Sequence, residues 1–285
     1  MNKKHKRNEN NNINNLNNNN YNEINSIQNN KEIIEYTFIF SCIKDDYFLM
    51  IKNLIRFNFQ FENISINGLS DLIIQMKEDI GITIKIENDI EDKIFAIFTL
   101  IPFKYYNKNP VINQLLNLII KKFENSNVFK ENKNLFNNII KFKNLSLLIN
   151  DRILNFPEQL IPNCYKLLLK EYNECIQDES SKNKFNIDYI ILFSKFIKNK
   201  TNNNNINKKI KLNENNNDNY ILNNEILFYK YETSFFIQES EINFDYKIPY
   251  NENGYDIENE NEPQYIYISF ISKEKFIYII NNYLL

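Results

Sequence analysis

Apolar residues in this chain switch repeatedly between two spacings, and each switch marks an element. Glu35–Ile43 (EYTFIFSCI) is a nearly unbroken aromatic and β-branched run, which predicts a buried strand. Asp45-Asp46 follows as an N-cap and acidic first turn for a helix whose Phe48, Ile51, Leu54 and Ile55 recur at helical spacing. Ser70-Asp71 predicts the start of a short helix carrying Leu72, Ile73 and Met76. Ile82–Ile86 (ITIKI) and Lys93–Ile101 predict a strand pair joined by an acidic turn, Glu87 to Asp92.

Helical spacing returns at Val111–Glu124 and Phe129–Phe142, followed by a short apolar strand, Leu145–Ile149. Pro157 and Pro162 confine the next helix to Pro162–Ile176, with Tyr165, Leu168, Leu169 and Tyr172 inward, because an interior proline removes a hydrogen bond and clashes. Tyr189–Ile197, Ile226–Ile237 and Tyr265–Ile271 predict three long strands. Ile242–Ile248 reads as an edge strand closed by Pro249, and Lys273–Tyr283 as a final helix bearing Phe276, Ile277 and Ile280. Strands 82–86 with 93–101, and 226–237 with 242–248, suggest antiparallel pairs. No regular βαβαβα rhythm is present. The expected fold is α/β: a single domain over 32–285 with a mixed, largely antiparallel sheet covered by helices.

Residues 1–31 form an Asn-rich tail, and 199–219 a second low-complexity insert; both bury too little apolar area to offset ordering entropy and are expected to be disordered. The N-terminus lacks the apolar core of a secretory signal, and no uninterrupted apolar run reaches the roughly 18 residues of a membrane span. Neither secretion nor membrane insertion is expected.

Composition is skewed toward residues with A/T-rich codons: 57 Asn, three Gly, one Ala (Ala96) and no Trp. Mutational pressure accounts for that bias, so pattern carries more than composition. With 43% hydrophobic and 25% charged residues, a chain of 285 can bury about 70–75% of its unfolded surface without staples. A net charge of -2 provides no chain-wide field for nucleic acid.

The missing residue types exclude more chemistry than the abundant ones suggest. Gly68, Gly81 and Gly254 stand too far apart for any GxG, which removes the Rossmann fingerprint, the Walker A loop and the kinase glycine loop. Their spacing also counts against an acyl-coenzyme A enzyme with the usual glycine-rich loop. The sole histidine, His5, lies in the tail beside Lys3, Lys4, Lys6 and Arg7, so no Ser-His-Asp triad, Cys-His pair or HExxH can be written in the folded part. Cys42, Cys164 and Cys175 contain no CxxC, excluding a disulfide framework and a structural zinc site and favouring a reducing compartment. Cys164 and Cys175 fall on one helical face and read as small hydrophobes. The acid pairs Asp45/Asp46, Glu78/Asp79 and Glu91/Asp92 read as caps or solvated turns. No catalytic residue, metal or cofactor is expected.

Charge is unevenly distributed. Residues 239–262 carry Glu239, Glu241, Asp245, Glu252, Asp256, Glu258, Glu260 and Glu262 against Lys247, net -7. Residues 198–211 carry Lys198, Lys200, Lys208, Lys209 and Lys211 with no acid, net +5. Each tract is either a hydrated loop or a working surface. As surfaces, the acids would steer a basic partner, and Lys3, Lys4, Lys6, Arg7 with Lys208, Lys209 and Lys211 would serve as import signals.

One stretch is more specific. Leu147–Gln159 (LLINDRILNFPEQ), followed by Pro162 and Tyr165, resembles the signature of the BCCIP family: an apolar strand, an acidic-Arg pair, Asn-x-Pro, a further proline and a helix. Leu69–Gln75 with Gly81, Tyr189–Lys195 (YIILFSK), Glu225–Glu232 (EILFYKYE) and Tyr265–Leu284 are similar to further family blocks in the same order. Two departures stand out: residues 1–31 are net +3 where relatives carry an acidic tract, and Glu158 occupies a position where many carry proline. The resemblance implies a fold like that of GCN5-related N-acetyltransferases without the cofactor loop. It further implies a non-enzymatic nuclear protein, shuttling to the cytoplasm, with roles in nuclear export, large ribosomal subunit biogenesis, the cell cycle and DNA repair. Its partners would be basic clients such as a large-subunit ribosomal protein, together with cell-cycle or DNA-repair proteins. The competing expectations are a degenerate acyltransferase-like enzyme, and a nucleic-acid scaffold working through the Lys198–Lys211 loop. Asp151, Arg152, Asn155 and Pro157 read in two ways: as partner surface, or as local structure with Arg152 paired to Asp151 or Glu158 and Asn155 capping the next turn.

Overall fold

A computed structural model describes residues 36–59, 62–198, 221–222, 226–248 and 264–284. The tail 1–31, the insert 199–219, the candidate acids Glu252, Asp256 and Glu258, and the candidate import residues Lys3, Lys4, Lys6, Arg7, Lys208, Lys209 and Lys211 lie outside the described residues.

Strand β1 (Phe38–Cys42) pairs antiparallel with β2 (Ile82–Ile86), β2 with β3 (Ile94–Pro102), and β3 with β4 (Leu145–Arg152). Strand β5 (Tyr189–Lys198) then runs parallel to β4, the one parallel step among the described strands. Beyond β5 come β9 (Gln264–Ser272) and β8 (Ile242–Lys247), both antiparallel. The short strands β6 (Ile221–Leu222) and β7 (Ile226–Phe228) pair with each other, and β7 lies against the far end of β5. This is the expected mixed, mostly antiparallel sheet in a single α/β domain.

Alternation along the strands assigns the helices to faces. Helix α1 (Phe48–Phe59) buries Ile51, Leu54, Ile55 and Phe59, with Phe59 meeting Phe193 of β5. Helices α2 (Ile66–Gln75), α3 (Pro110–Glu124) and α4 (Phe129–Phe142) share that side, where Phe123 stacks on Phe136 and Phe136 meets Phe270 of β9. The other face carries α5 (Ile161–Gln177), α6 (Thr233–Glu239) and α7 (Lys273–Ile279), the last continuing into a π-helical turn at Ile280–Leu284. Tyr165 of α5 joins this layer to the sheet through Phe98 and contacts Phe236 and Phe276.

Four sequence expectations need correction. Lys44, not Asp45, stands at the N-cap, and Asp45–Tyr47 forms a 3-10 turn leading into α1. Helix α2 begins at Ile66 because Ser65 is its cap, accepting from Gly68 N at 3.1 Å; Ser70 lies within the helix and donates to Ile66 O. Strand β4 continues three residues beyond Ile149. The long strand expected over Ile226–Ile237 is instead β7, a turn and α6. It therefore does not pair with β8, which among the described residues pairs with β9 alone.

Gly81 shows how tightly the β2 entry is packed. Its φ is +145°, and an added Cβ would lie 2.5 Å from Ile43 Cδ1 and 3.2 Å from Thr99 Cβ. Its N–H donates to Glu171 Oε2 at 2.7 Å. Gly81→Ala is therefore expected to cost about 1–3 kcal/mol of unfolding free energy, read as a lower urea midpoint at an unchanged slope.

Candidate functional site

The parallel step creates an opening. Strands β4 and β5 pair from Leu145↔Tyr189 to Leu148↔Leu192, after which their ladder ends although both strands continue. On its other edge β5 stays bonded to β9 as far as Ile197. The gap between β4 and β5 is filled by the chain itself: β7 occupies the upper part of the β5 edge at Phe196–Lys198, and Tyr229 N reaches Lys195 O. The turn after β7 then places Lys230, Glu232 and Thr233 in the gap, and all three are buried.

Asn150 and Asp151 are successive residues of β4, so their side chains leave opposite faces of the sheet. Lys230 Nζ donates to both, to Asn150 Oδ1 at 2.9 Å and to Asp151 Oδ1 at 2.7 Å, which places the ammonium at the level of the sheet, inside the fork. On the α1 side, Asn58 Nδ2 donates to Asp151 Oδ1 at 2.6 Å. On the α5 side, Asn150 Nδ2 donates to Tyr165 Oη at 2.8 Å, and Arg152 grips Glu232 with both terminal nitrogens at 2.5 and 3.0 Å. Two anions and two cations are thus buried as a neutral set with specific hydrogen bonds.

Burial alone would raise the Glu232 carboxyl, but the Arg152 charge and hydrogen bonds outweigh it and hold the group below its ordinary 4.5. Burial pulls the Arg152 guanidinium down and Glu232 more than restores it, so it is fixed in its charged form. Burial pushes the Tyr165 hydroxyl well up, helped by the Glu232 charge, so it stays protonated as a donor. The neighbouring Cys164 thiol is also pushed up by burial, which leaves it protonated at neutral pH.

The candidate residues separate accordingly. Asp151 is 2% exposed and the Arg152 side chain 7%, so both side chains belong to the interior. Arg152 pairs with Glu232, eighty residues away, and not with Asp151 or Glu158. Asn155 is exposed in the loop after β4 with φ of 61°, and its side chain caps no helix; Pro157 stands at the N-cap position of the following 3-10 turn. Glu239 ends α6, and its backbone oxygen accepts from Lys275 Nζ. Glu241 accepts from Ser272 N and lies 3.5 Å from Lys275 Nζ, while Asp245 pairs with Lys198 at 2.8 Å. Glu241 and Asp245 are therefore partly neutralised by the chain's own lysines. Sequence reading missed Lys230, Glu232, Asn58 and Asn150. The available signal was Lys230 and Glu232 interrupting the largely apolar and aromatic run from Ile226 to Ile237.

Among the described residues no group of three His, Cys, Asp or Glu side chains could hold a metal ion, and no helix is long and apolar enough to cross a membrane. A groove of about 420 Å3 lies open between α5 and α7, with Lys166, Lys170, Leu169 and Ile277 on its walls.

Removing one member of the buried set should expose the cost of the others. Arg152→Met is expected to destabilise by about 3–5 kcal/mol by stranding Glu232, and adding Glu232→Leu should recover most of that loss in urea unfolding. Because the folded Glu232 carboxyl lies below 4.5, its contribution is complete above that pH and is lost as pH falls through the lower folded value. Comparing acid-limb stability with that of Glu232→Gln isolates this component; an equal pH slope in both proteins would contradict it.

A family model described as BCCIP matches residues 33–236, well over half the chain. Among curated proteins, the chain is 28% identical to protein bcp1 of Schizosaccharomyces pombe over 153 residues, covering 52% of each chain. It is 27% identical to BCP1 of Debaryomyces hansenii over 184 residues, 60% of this chain and 58% of that one, and 23% identical to the BCCIP homolog of Arabidopsis thaliana over 155 residues, 54% and 47%. The chain spans about half the length of the curated relatives it matches. The crystal structure of BCP1 from Saccharomyces cerevisiae is similar in fold, with a TM-score of 0.55 over 88% of both chains at 19% identity. Asp151-Arg152 and residues 226–232, parts of two separate stretches that resemble the family, meet in the fork. The chain belongs to the BCCIP family.

Proposed function

We propose that this protein is a non-enzymatic adaptor of Bcp1 type that escorts basic client proteins in the nucleus and accompanies them to the cytoplasm. A large-subunit ribosomal protein is the first client class, with cell-cycle and DNA-repair proteins as further partners. The observation that carries the reading is the filled fork. Where the two parallel strands part and a sheet of this kind could open to a small ligand, Lys230 and Glu232 are bonded instead to Asn150 and Arg152. Binding then falls to the surface, where charge complementarity sets the encounter rate and apolar contact holds the complex.

The test pairs the full chain with a purified basic large-subunit ribosomal protein. Affinity is expected to fall as salt shortens the Debye length from about 10 to about 3 Å. Acetyl-coenzyme A should leave the melting temperature unchanged, whereas a true ligand at 100 times its Kd would stabilise by about 2.7 kcal/mol. A clear shift with acetyl-coenzyme A, or no measurable affinity for the basic protein at low salt, would overturn the assignment.

A further inference from the structure

Sheet edges are templates for another strand unless charge, proline, bulging or cover protects them. The β8 edge carries Asp245, paired with Lys198 across β9, and Lys247 at its end. Strand β1, at the opposite edge, reads Phe-Ile-Phe-Ser-Cys, with no charge and no proline, and among the described residues it pairs with β2 alone. Its hydrogen-bonding phase is fixed by Glu87 N donating to Thr37 O at 2.8 Å. In an antiparallel pair that phase directs the backbone groups of 37, 39 and 41 toward β2 and those of Phe38 and Phe40 outward.

The ground beside this edge is apolar and acidic. Phe38 meets Phe95 and Phe156 edge-on at 6.2 Å. Tyr36, just before β1, is 59% exposed, and Ile90, at the tip of the β2–β3 hairpin, is 100% exposed. The hairpin from Lys85 to Lys93 holds Glu87, Asp89, Glu91 and Asp92 against two lysines, net -2. Lys44 and Lys85 both bind Asp92, and Lys93 binds Glu91, so neither Glu87 nor Asp89 has an ion-pair partner among the described residues.

We propose that the outer edge of β1 is a docking edge that takes an extended, basic segment of a partner protein as an additional strand, its lysines and arginines directed to the β2–β3 hairpin. This rests on the basic-client reading and gives it a place. Main-chain bonds to Phe38 and Phe40 supply affinity, the Phe38–Phe95–Phe156 shelf accepts alternate apolar side chains, and Glu87 and Asp89 select for positive charge.

The probe is a synthetic twelve-residue peptide alternating Lys and Val, titrated into the 15N-labelled full chain, with a Glu–Val peptide as control. On saturation the Phe38 and Phe40 amides should exchange at least about tenfold more slowly, while Ile39 and Ser41, already bonded to β2, change little. Glu87→Lys, at an exposed position, should weaken binding about tenfold at low salt, and the Glu–Val peptide should not bind. Peptide binding without protection at Phe38 and Phe40 would overturn the docking edge and leave the basic-client reading intact. Failure to bind both this peptide and a basic ribosomal protein would remove the two together. Protection of those amides in the free monomer would show the edge covered by the chain's own N-terminal segment, and protection that grows with protein concentration would show a second copy there; either result overturns the proposal.

Discussion

The parting of β4 from β5 sets the terms for the rest of the molecule. Two parallel strands that stop pairing midway leave backbone and side-chain polar groups facing a gap in the middle of a sheet, where neither water nor a vacancy is cheap. The chain closes the gap with its own return segment, and does so ionically. Lys230 lies at the level of the sheet between Asn150 and Asp151, while Arg152 and Glu232 clasp on one face. Each charge loses hydration of order several kcal/mol, which its counter-charge and hydrogen bonds offset without large surplus. What such a set provides is registry: only one placement of the 228–234 turn satisfies every member. That turn in turn positions Phe236 against Tyr165 and Phe276, joining α5, α6 and α7 into one layer.

Most of the architecture was legible because it follows from two periods. Ile82–Ile86 and Phe129–Phe142 have the predicted bounds, and most other elements agree to within a residue or two, since their apolar positions alternate or recur at helical spacing. Two of the larger errors share a cause. Strand β4 was cut at Ile149 because Asn150, Asp151 and Arg152 look like the start of a loop, yet Asn150 and Asp151 are 1% and 2% exposed. The 226–237 stretch reads as a strand because Lys230 and Glu232, two apart, mimic its solvent side. Both are counterions in the interior. A period can report which side of an element is buried, but it cannot report a partner eighty residues away.

The same limit governs the functional reading. The tract 239–262 counts as net -7 in sequence, but two of the three acids whose placement is described are engaged locally: Glu241 with Ser272 N and Lys275, and Asp245 with Lys198. Formal charge along a chain is therefore a poor proxy for surface potential once side chains find partners across strands. The stretches that suggested the family were the more reliable guide, and the fork explains why. Asp151-Arg152, Tyr165, Lys195 and residues 226–232 are distant in sequence and adjacent in space, so they describe one structural unit.

With the four charges of the fork paired, what a partner meets is set by how the remaining charges are arranged along the sheet. The β2–β3 hairpin stands at the end where Ala96 pairs with Arg152. Helix α4 leads into β4 at the opposite end, where Pro102 pairs with Ser146. Its exposed Lys130, Lys133, Lys141 and neighbouring Lys143 face Glu131 as the one acid of the helix. If the β1 edge takes a basic segment as proposed, the hairpin carboxylates Glu87 and Asp89 would draw its charges to that end. They would then set the direction in which an extended chain lies, even though the net charge of the whole protein is only -2. Orientation of this kind acts on encounter and register, and it weakens with salt before apolar contacts do.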